Sequence, residues 1–188
     1  KPLVEQNIAT DEALRHPRRL ASLVIAEERR RHALRRLAVT DPLTGLANRS
    51  EFERRLTEGD GPVTVAILDL DDFKPVNDTH GHDTGDAVLR VVAERLRNSV
   101  RDDDLAVRFG GDEFAIVFAP GTDHDDAIRS ARRVVAAIEA PIALDRPAGA
   151  SLTVSVGASV GVATAPAKKA THLADNALYD AKRAKHAR

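Results

Sequence analysis

Two short runs place carboxylates at the ends of apolar stretches. Asp69, Asp71 and Asp72 close the run VTVAILDLDD, and Asp112 and Glu113 follow the paired glycines of RFGGDEF. Alternate residues of an extended chain share a face, so Asp69 and Asp71 point one way and Asp72 the other. Ionised neighbours repel unless a cation sits between them. Mg²⁺ takes oxygen ligands, often one or two carboxylates together with substrate phosphates. Two acidic strand ends brought together would make a metal centre suited to phosphoryl transfer. Acids merely solvated at strand ends are the other reading. Gly110 and Gly111 favour the first, because glycines permit a tight turn and close approach of a backbone or a nucleotide.

The flanking elements follow from periodicity and turn residues. Asp41 before Pro42 marks a turn or helix start, and Gly45 a tight bend. Residues 48–56 read as a helix, and residues 63–68 as a buried strand. NDTHGHDTGD reads as a polar loop. Residues 87–100 carry Val88, Leu89, Val91, Val92 and Leu96 at the spacing of a helix lying on a sheet. Residues 105–118 form a hairpin, with the two glycines and the two acids at its tip. A helix over 125–140, a strand over 152–163 and a helix over 171–185 complete the chain. A hairpin among alternating strands and helices requires antiparallel pairing, so the fold class is α+β, helices covering a sheet.

Residues 1–38 are polar and Arg-rich, with Leu20, Leu23, Val24, Leu34 and Leu37 at roughly helical spacing. A solvated helix and a dimerising connector helix both fit. The expected organisation is thus a linker or connector over 1–38 and one folded domain over 39–188.

Composition narrows the classes. The 188 residues are 43% hydrophobic and 30% charged, with a net charge of -1, so no global field favours nucleic acid or membrane. Cys is absent, which excludes disulfides and thiolate metal sites and fits a reducing cytoplasm. No apolar run approaches the roughly 20 residues that span a bilayer. Met is absent too, which reads as a piece of a longer protein whose anchor, if any, lies upstream.

Several ordered motifs, from about Thr40 to His186, carry a resemblance: DPLTGLANR, LDLDDFKPVND, GHDTGD, RFGGDEF, SVGVA and ADNALYDAK. Together they resemble the GGDEF family of bacterial diguanylate cyclases. The resemblance implies a mainly antiparallel mixed sheet flanked by helices, like the palm of nucleotidyl cyclases and polymerases. It implies condensation of two GTP to cyclic di-GMP with release of two pyrophosphates, on Mg²⁺ or Mn²⁺, between two domains face to face in a homodimer. By that resemblance Asp69, Asp112 and Glu113 hold the metal, with the Leu70 carbonyl assisting. Asn77 and Asp86 read guanine, and Phe73, Gly110 and Gly111 line the nucleotide. Lys74 and Lys182 contact phosphates, and Lys74, Asp112 and Glu113 form the catalytic set. Glu113 is a candidate base for the attacking hydroxyl, with a metal-lowered pKa as the alternative. Arg101 and Asp104, in R-x-x-D spacing ahead of the hairpin, match the family's product-inhibition site. An Arg fork suits phosphate and the Hoogsteen edge of guanine.

The chain departs from the family at its end. His186 stands where an Arg is usual and Lys185 where a Gly is; Lys185 or Arg188 could supply the missing charge. Ser50 replaces a commonly basic residue. A module that binds GTP or cyclic di-GMP without turnover, and regulates a neighbouring domain, is therefore the rival reading.

Other signals point nowhere. GASVG fits a nucleophile pattern but lacks the strand–turn–helix context and reads as a small-residue strand. His80, His82 and Asp83 read as loop residues, and no P-loop exists. RRRHALRR lacks interleaved aromatics, so it is a solvated helix face rather than a nucleic-acid site.

Overall fold

The computed structural model describes residues 24, 25, 27, 28, 30, 39–58, 61–145 and 151–187. The chain divides into two compact units, 1–38 and 39–188. In the first, residues 24, 25, 27, 28 and 30 are helical, with Val24 and Ile25 exposed and Arg30 4.0 Å from Glu27. Leu20, Leu23, Leu34 and Leu37 lie outside the described residues.

The second unit is built on a four-stranded sheet. Its elements are α1 (Arg49–Leu56), β1 (Pro62–Asp71), α2 (Phe73–His80), α3 (His82–Ser99), β2 (Leu105–Gly110), β3 (Glu113–Val117), α4 (His124–Glu139), β4 (Ile142–Asp145), β5 (Ser151–Val154), β6 (Gly157–Pro166) and α5 (Ala167–His186). The strand order is β2-β3-β1-β6, and every ladder in it is antiparallel. A parallel element enters through the isolated bridge between Ala47 and Val107. Strands β1, β2, β3 and β6, with helices between, trace the β-α-β-β-α-β order of ferredoxin-like sheets. Among the described residues no helix is long and apolar enough to cross a membrane.

β1 is central, so both its faces are buried, and its sequence shows why. Ala66, Leu68 and Leu70 face one core with α2, α3 and α4, while Val65 and Ile67 face the other with α1 and α5. The helices start where side chains satisfy their first amides. The Asn48 side chain accepts from the Glu51 amide at 3.1 Å, and Asp123 from the Asp126 amide at 2.7 Å.

The structure corrects several sequence-based boundaries. NDTHGHDTGD is not a loop. It is the end of α2 and the start of α3, broken at Gly81, whose φ is 83°. Phe73 and Val76 pin one face of α2 to the core, and the polar residues that suggested a loop cover its solvent face. β1 runs on through the acids to Asp71. The single strand expected over 152–163 is two strands, β5 and β6, separated at Ser155–Val156, and β5 pairs with the unanticipated β4 in a separate ribbon.

The contact between β6 and α5 is unusually close. A Cβ on Gly161 would stand 2.1 Å from the Ala174 carbonyl oxygen and 2.2 Å from the Leu178 amide nitrogen. These are the two ends of one helical hydrogen bond, so the backbone of α5 rests directly on the strand at Gly161. GASVG is thus a small-residue strand, and its last glycine fixes the depth of the helix.

Candidate active site

The register of the sheet brings the two acidic runs together. Asp69 of β1 lies opposite Glu113 of β3. The tip is tied to β1 as well, the Leu70 amide donating to the Asp112 carbonyl at 3.2 Å. Asp69, Leu70, Asp71, Asp72, Phe73, Lys74, Asp112 and Lys182 line one open cleft of about 330 Å³.

The hairpin tip needs its glycines for conformation. Gly110 has φ 143° and Gly111 φ 55°, and a Cβ on either would meet nothing within 4 Å. Space above the tip is open. Beneath it, Arg108 is 8% exposed and clamps the turn: its Nε and Nη2 donate to the Gly111 carbonyl at 3.2 and 2.8 Å. Its Nη1 donates to Asp41 Oδ1 at 3.0 Å, and that oxygen also accepts from the amide and hydroxyl of Thr44. Sequence reasoning missed this clamp, because Asp41 and Arg108 stand far apart in the chain.

Burial pushes the Asp41 carboxyl upward, but the hydrogen bonds of Thr44 and Arg108, with the Arg108 charge, hold it net below its ordinary value. The stabilisation is therefore present above the unfolded pKa and lost as pH falls through the folded one, below about pH 4. Thermal melts should show wild type more stable than Asp41→Asn at about pH 7, with the gap narrowing as pH falls below about 4.

Asp69 carries the electrostatics of the cleft. Lys182 Nζ lies 2.5 Å from its Oδ1. Burial nevertheless drives the Asp69 carboxyl above its ordinary value, and the charges of Asp112 and Asp71 add to that rise, while Lys182 opposes it. Four aspartates and two lysines line the cleft. Among the described residues, no three His, Asp or Glu side chains already stand as a metal cage. A site for Mg²⁺ that draws one or two carboxylates from the protein and the rest from phosphate and water needs no such cage. The donor set here, Asp69 and Asp112 with Glu113 opposite Asp69, fits that kind of site.

The remaining candidates stand on α2 and α3. Lys74 is exposed in the first turn of α2. Phe73 is 6% exposed, with its ring in the core behind the cleft. Asn77 and Asp86 are half-buried on α2 and α3. A glycine passed over in the sequence, Gly85, sets the first of them: a Cβ there would come 1.9 Å from Asn77 Oδ1 and 3.3 Å from the Phe73 ring. The GHDTGD spacing was the available signal.

Lys185 is engaged within the fold. Its Nζ donates to Asp71 Oδ2 at 2.7 Å, to Glu139 Oε1 at 3.2 Å and to the Ala158 carbonyl at 3.3 Å. His186 is the last residue of α5, and Arg188 lies outside the described residues. Ser50 is exposed in the first turn of α1.

Arg101 and Asp104 lie in the turn between α3 and β2. Asp104 is engaged by the backbone at both oxygens: the Arg101 amide donates to Oδ2 at 3.0 Å and the Ala119 amide to Oδ1 at 2.9 Å. The Arg101 side chain is exposed.

Comparison with known proteins agrees with the geometry. Residues 38–188 match the family model described as the GGDEF domain of diguanylate cyclase. The diguanylate cyclase TpbB of Pseudomonas aeruginosa is 41% identical over 155 residues, 76% of this chain and 35% of that protein. The cyclic di-GMP phosphodiesterase NbdA of the same species is 41% identical over 142 residues, 71% of this chain and 17% of that protein. The chain thus spans about a third or less of these curated relatives. The crystal structure of the coiled coil and GGDEF domain of DgcB from Caulobacter crescentus, in complex with c-di-GMP, superposes with a TM-score of 0.74 at 34% identity, covering 88% of this chain and 93% of that one. An acidic cleft at a Gly-Gly-Asp-Glu-Phe hairpin, on this sheet and with these relatives, places the chain in the GGDEF diguanylate cyclase domain family.

Proposed function

We propose that this chain is the catalytic domain of a diguanylate cyclase, joining two GTP into cyclic di-GMP with release of two pyrophosphates. The observation that carries the reading is the cleft that Asp69 shares with Asp112, Lys74 and Lys182, with Glu113 opposite Asp69 in the β1–β3 ladder. Asp69, Asp112 and Glu113, with the Leu70 carbonyl, would hold Mg²⁺ or Mn²⁺. When bound, the ion supplies charge neutralisation at the phosphates and lowers the pKa of a hydroxyl.

The residues of the chain do the positioning. Gly110 and Gly111 leave room for the nucleotide over the hairpin. Asn77 and Asp86 offer an amide and a carboxylate to guanine's edge, where adenine would leave them unpaired. Phe73 supports that pocket from the core. Lys74 and Lys182 take charge from the transferring phosphates, and Glu113 accepts the proton of the attacking 3'-hydroxyl. Each domain holds one GTP, so turnover needs two domains face to face. The segment 1–38 is proposed as the connector that governs how they meet. Alignment of the two substrates supplies much of the rate.

Incubation with GTP and Mg²⁺ should yield cyclic di-GMP, detected by mass, with a rate per domain that rises with protein concentration. Tight guanine-nucleotide binding with no product at any concentration would favour the regulatory module instead; the relative NbdA is a reason to keep that reading in the test.

Product inhibition is assigned to Arg101 and Asp104, of which Asp104 also accepts from two backbone amides. Arg101→Ala should leave the early rate unchanged and remove the slowing as product accumulates. Asp104→Ala should do the same but also lower stability by about 0.5–1.5 kcal/mol, because the exposed Arg101 amide and the part-buried Ala119 amide lose their acceptor. Progress curves with thermal melts on both variants check this; identical curves for wild type and Arg101→Ala would exclude the assignment.

A further inference from the structure

Lys182 and Lys185 are one turn apart on α5, and Asp69 and Asp71 are alternate residues on β1. Helical i,i+3 spacing and strand i,i+2 spacing match across the contact, so the two lysines meet the two acids in parallel pairs. The pairs differ in what surrounds them. Asp71 is held twice, by Lys185 at one oxygen and by the Ser159 hydroxyl at the other, 2.8 Å away. Lys185 also reaches Glu139 and the Ala158 carbonyl. That cluster joins β1, β6, α4 and α5 at one point. Asp69 and Asp71 both line the cleft with Asp112 and Lys74, but of the two lysines only Lys182 lines it; the Lys182 side chain is 33% exposed and that of Lys185 47%.

An ammonium on Asp69 Oδ1 competes with any divalent ion for that carboxylate. Both are cations, and one oxygen cannot serve both at contact distance without strong repulsion. A triphosphate entering the cleft offers the ammonium new acceptors, and the four-carbon stem of a lysine lets it move to them while the helix stays still. Building on the reading that Asp69 is a metal ligand, we propose that Lys182 is an exchangeable counterion: it neutralises Asp69 while the cleft is empty and transfers to the nucleotide phosphates when the metal enters, so that metal and nucleotide bind as a coupled pair. Lys185 is the fixed anchor that keeps α5 seated during the exchange. Coupling of this kind is reciprocal, so each ligand strengthens the other.

The test titrates Mn²⁺ into the nucleotide-free full chain by calorimetry, for wild type, Lys182→Gln and Lys185→Gln, with thermal melts to verify folding. A GTP analogue that cannot react is titrated separately into wild type with Mn²⁺ and with chelator. Lys182→Gln should bind Mn²⁺ about ten-fold more tightly than wild type without nucleotide, a gain of about 1.4 kcal/mol. Lys185→Gln should not, although it removes the same charge. Equal tightening in both variants would reduce the effect to net charge and overturn the exchange. Unchanged Mn²⁺ affinity in Lys182→Gln, with Mn²⁺ still strengthening analogue binding to wild type, would overturn the exchange but leave the metal site standing. Failure of Mn²⁺ both to bind Lys182→Gln and to strengthen analogue binding would remove the metal site itself, and the exchange with it.

Discussion

Glu113→Gln is expected to lower the rate of cyclic di-GMP formation by at least about 10²-fold, and by up to about 10⁴-fold, while leaving the melting temperature nearly unchanged. The range is that of losing a positioned proton acceptor, and loss of a metal ligand acts in the same direction. The fold should survive because Glu113 is exposed at the first residue of β3 and the substitution keeps its backbone ladder to Asp69. Changes at exposed positions are usually within about 0.5 kcal/mol. Gln is nearly isosteric, so binding of a GTP analogue without metal should persist. Turnover by mass, with a melting curve on the same sample, is the measurement. Full activity in Glu113→Gln would remove this residue from the chemistry and weaken the enzymatic reading as a whole.

Gly161→Ala is expected to be the most damaging single methyl group that can be added to this sheet. At 2.1 Å from the Ala174 oxygen and 2.2 Å from the Leu178 nitrogen, the new Cβ meets backbone, which cannot rotate away as a side chain does. Either α5 lifts from β6 or the strand bends. Overpacking of this kind costs roughly 3 kcal/mol, which for a domain of this size lowers the melting temperature by roughly 6–12 °C. The loss should reach the cleft, because Lys182 sits one turn beyond Leu178 and meets Asp69 only at the present depth of the helix. Weaker GTP-analogue binding by the folded fraction should therefore accompany the lower melting temperature. A melting curve equal to wild type would mean that α5 is not seated as described.

Much of this was legible in the residues. Alternation put Asp69 and Asp71 on one face of β1, and they do share the face that meets α5. The glycines of RFGGDEF predicted a turn, and Gly110 and Gly111 both adopt positive φ. The antiparallel requirement of a short hairpin predicted the sheet type. What periodicity failed to find were elements whose pattern is masked by solvent-facing polar residues. α2 buries Phe73 and Val76 and exposes most of the rest, too short a signal to separate from a loop. β4 and β5 are four-residue strands in a ribbon of their own, and the β-branched, Gly-punctuated stretch over 152–163 conceals the break at Ser155–Val156.

The amino-acid order alone determined which residues bear charge, where the chain must turn and which face of each strand the acids occupy, because these depend on neighbours a few positions away. Only the tertiary structure decided who answers those charges. Arg108 finds Asp41 and the Gly111 carbonyl, Lys182 finds Asp69, and Lys185 finds Asp71. The pairings of these cations with carboxylates join residues from 67 to 114 positions apart. They exist because the β2-β3-β1-β6 order and the glycine seat of α5 set the distances, and no local pattern records a distance between segments.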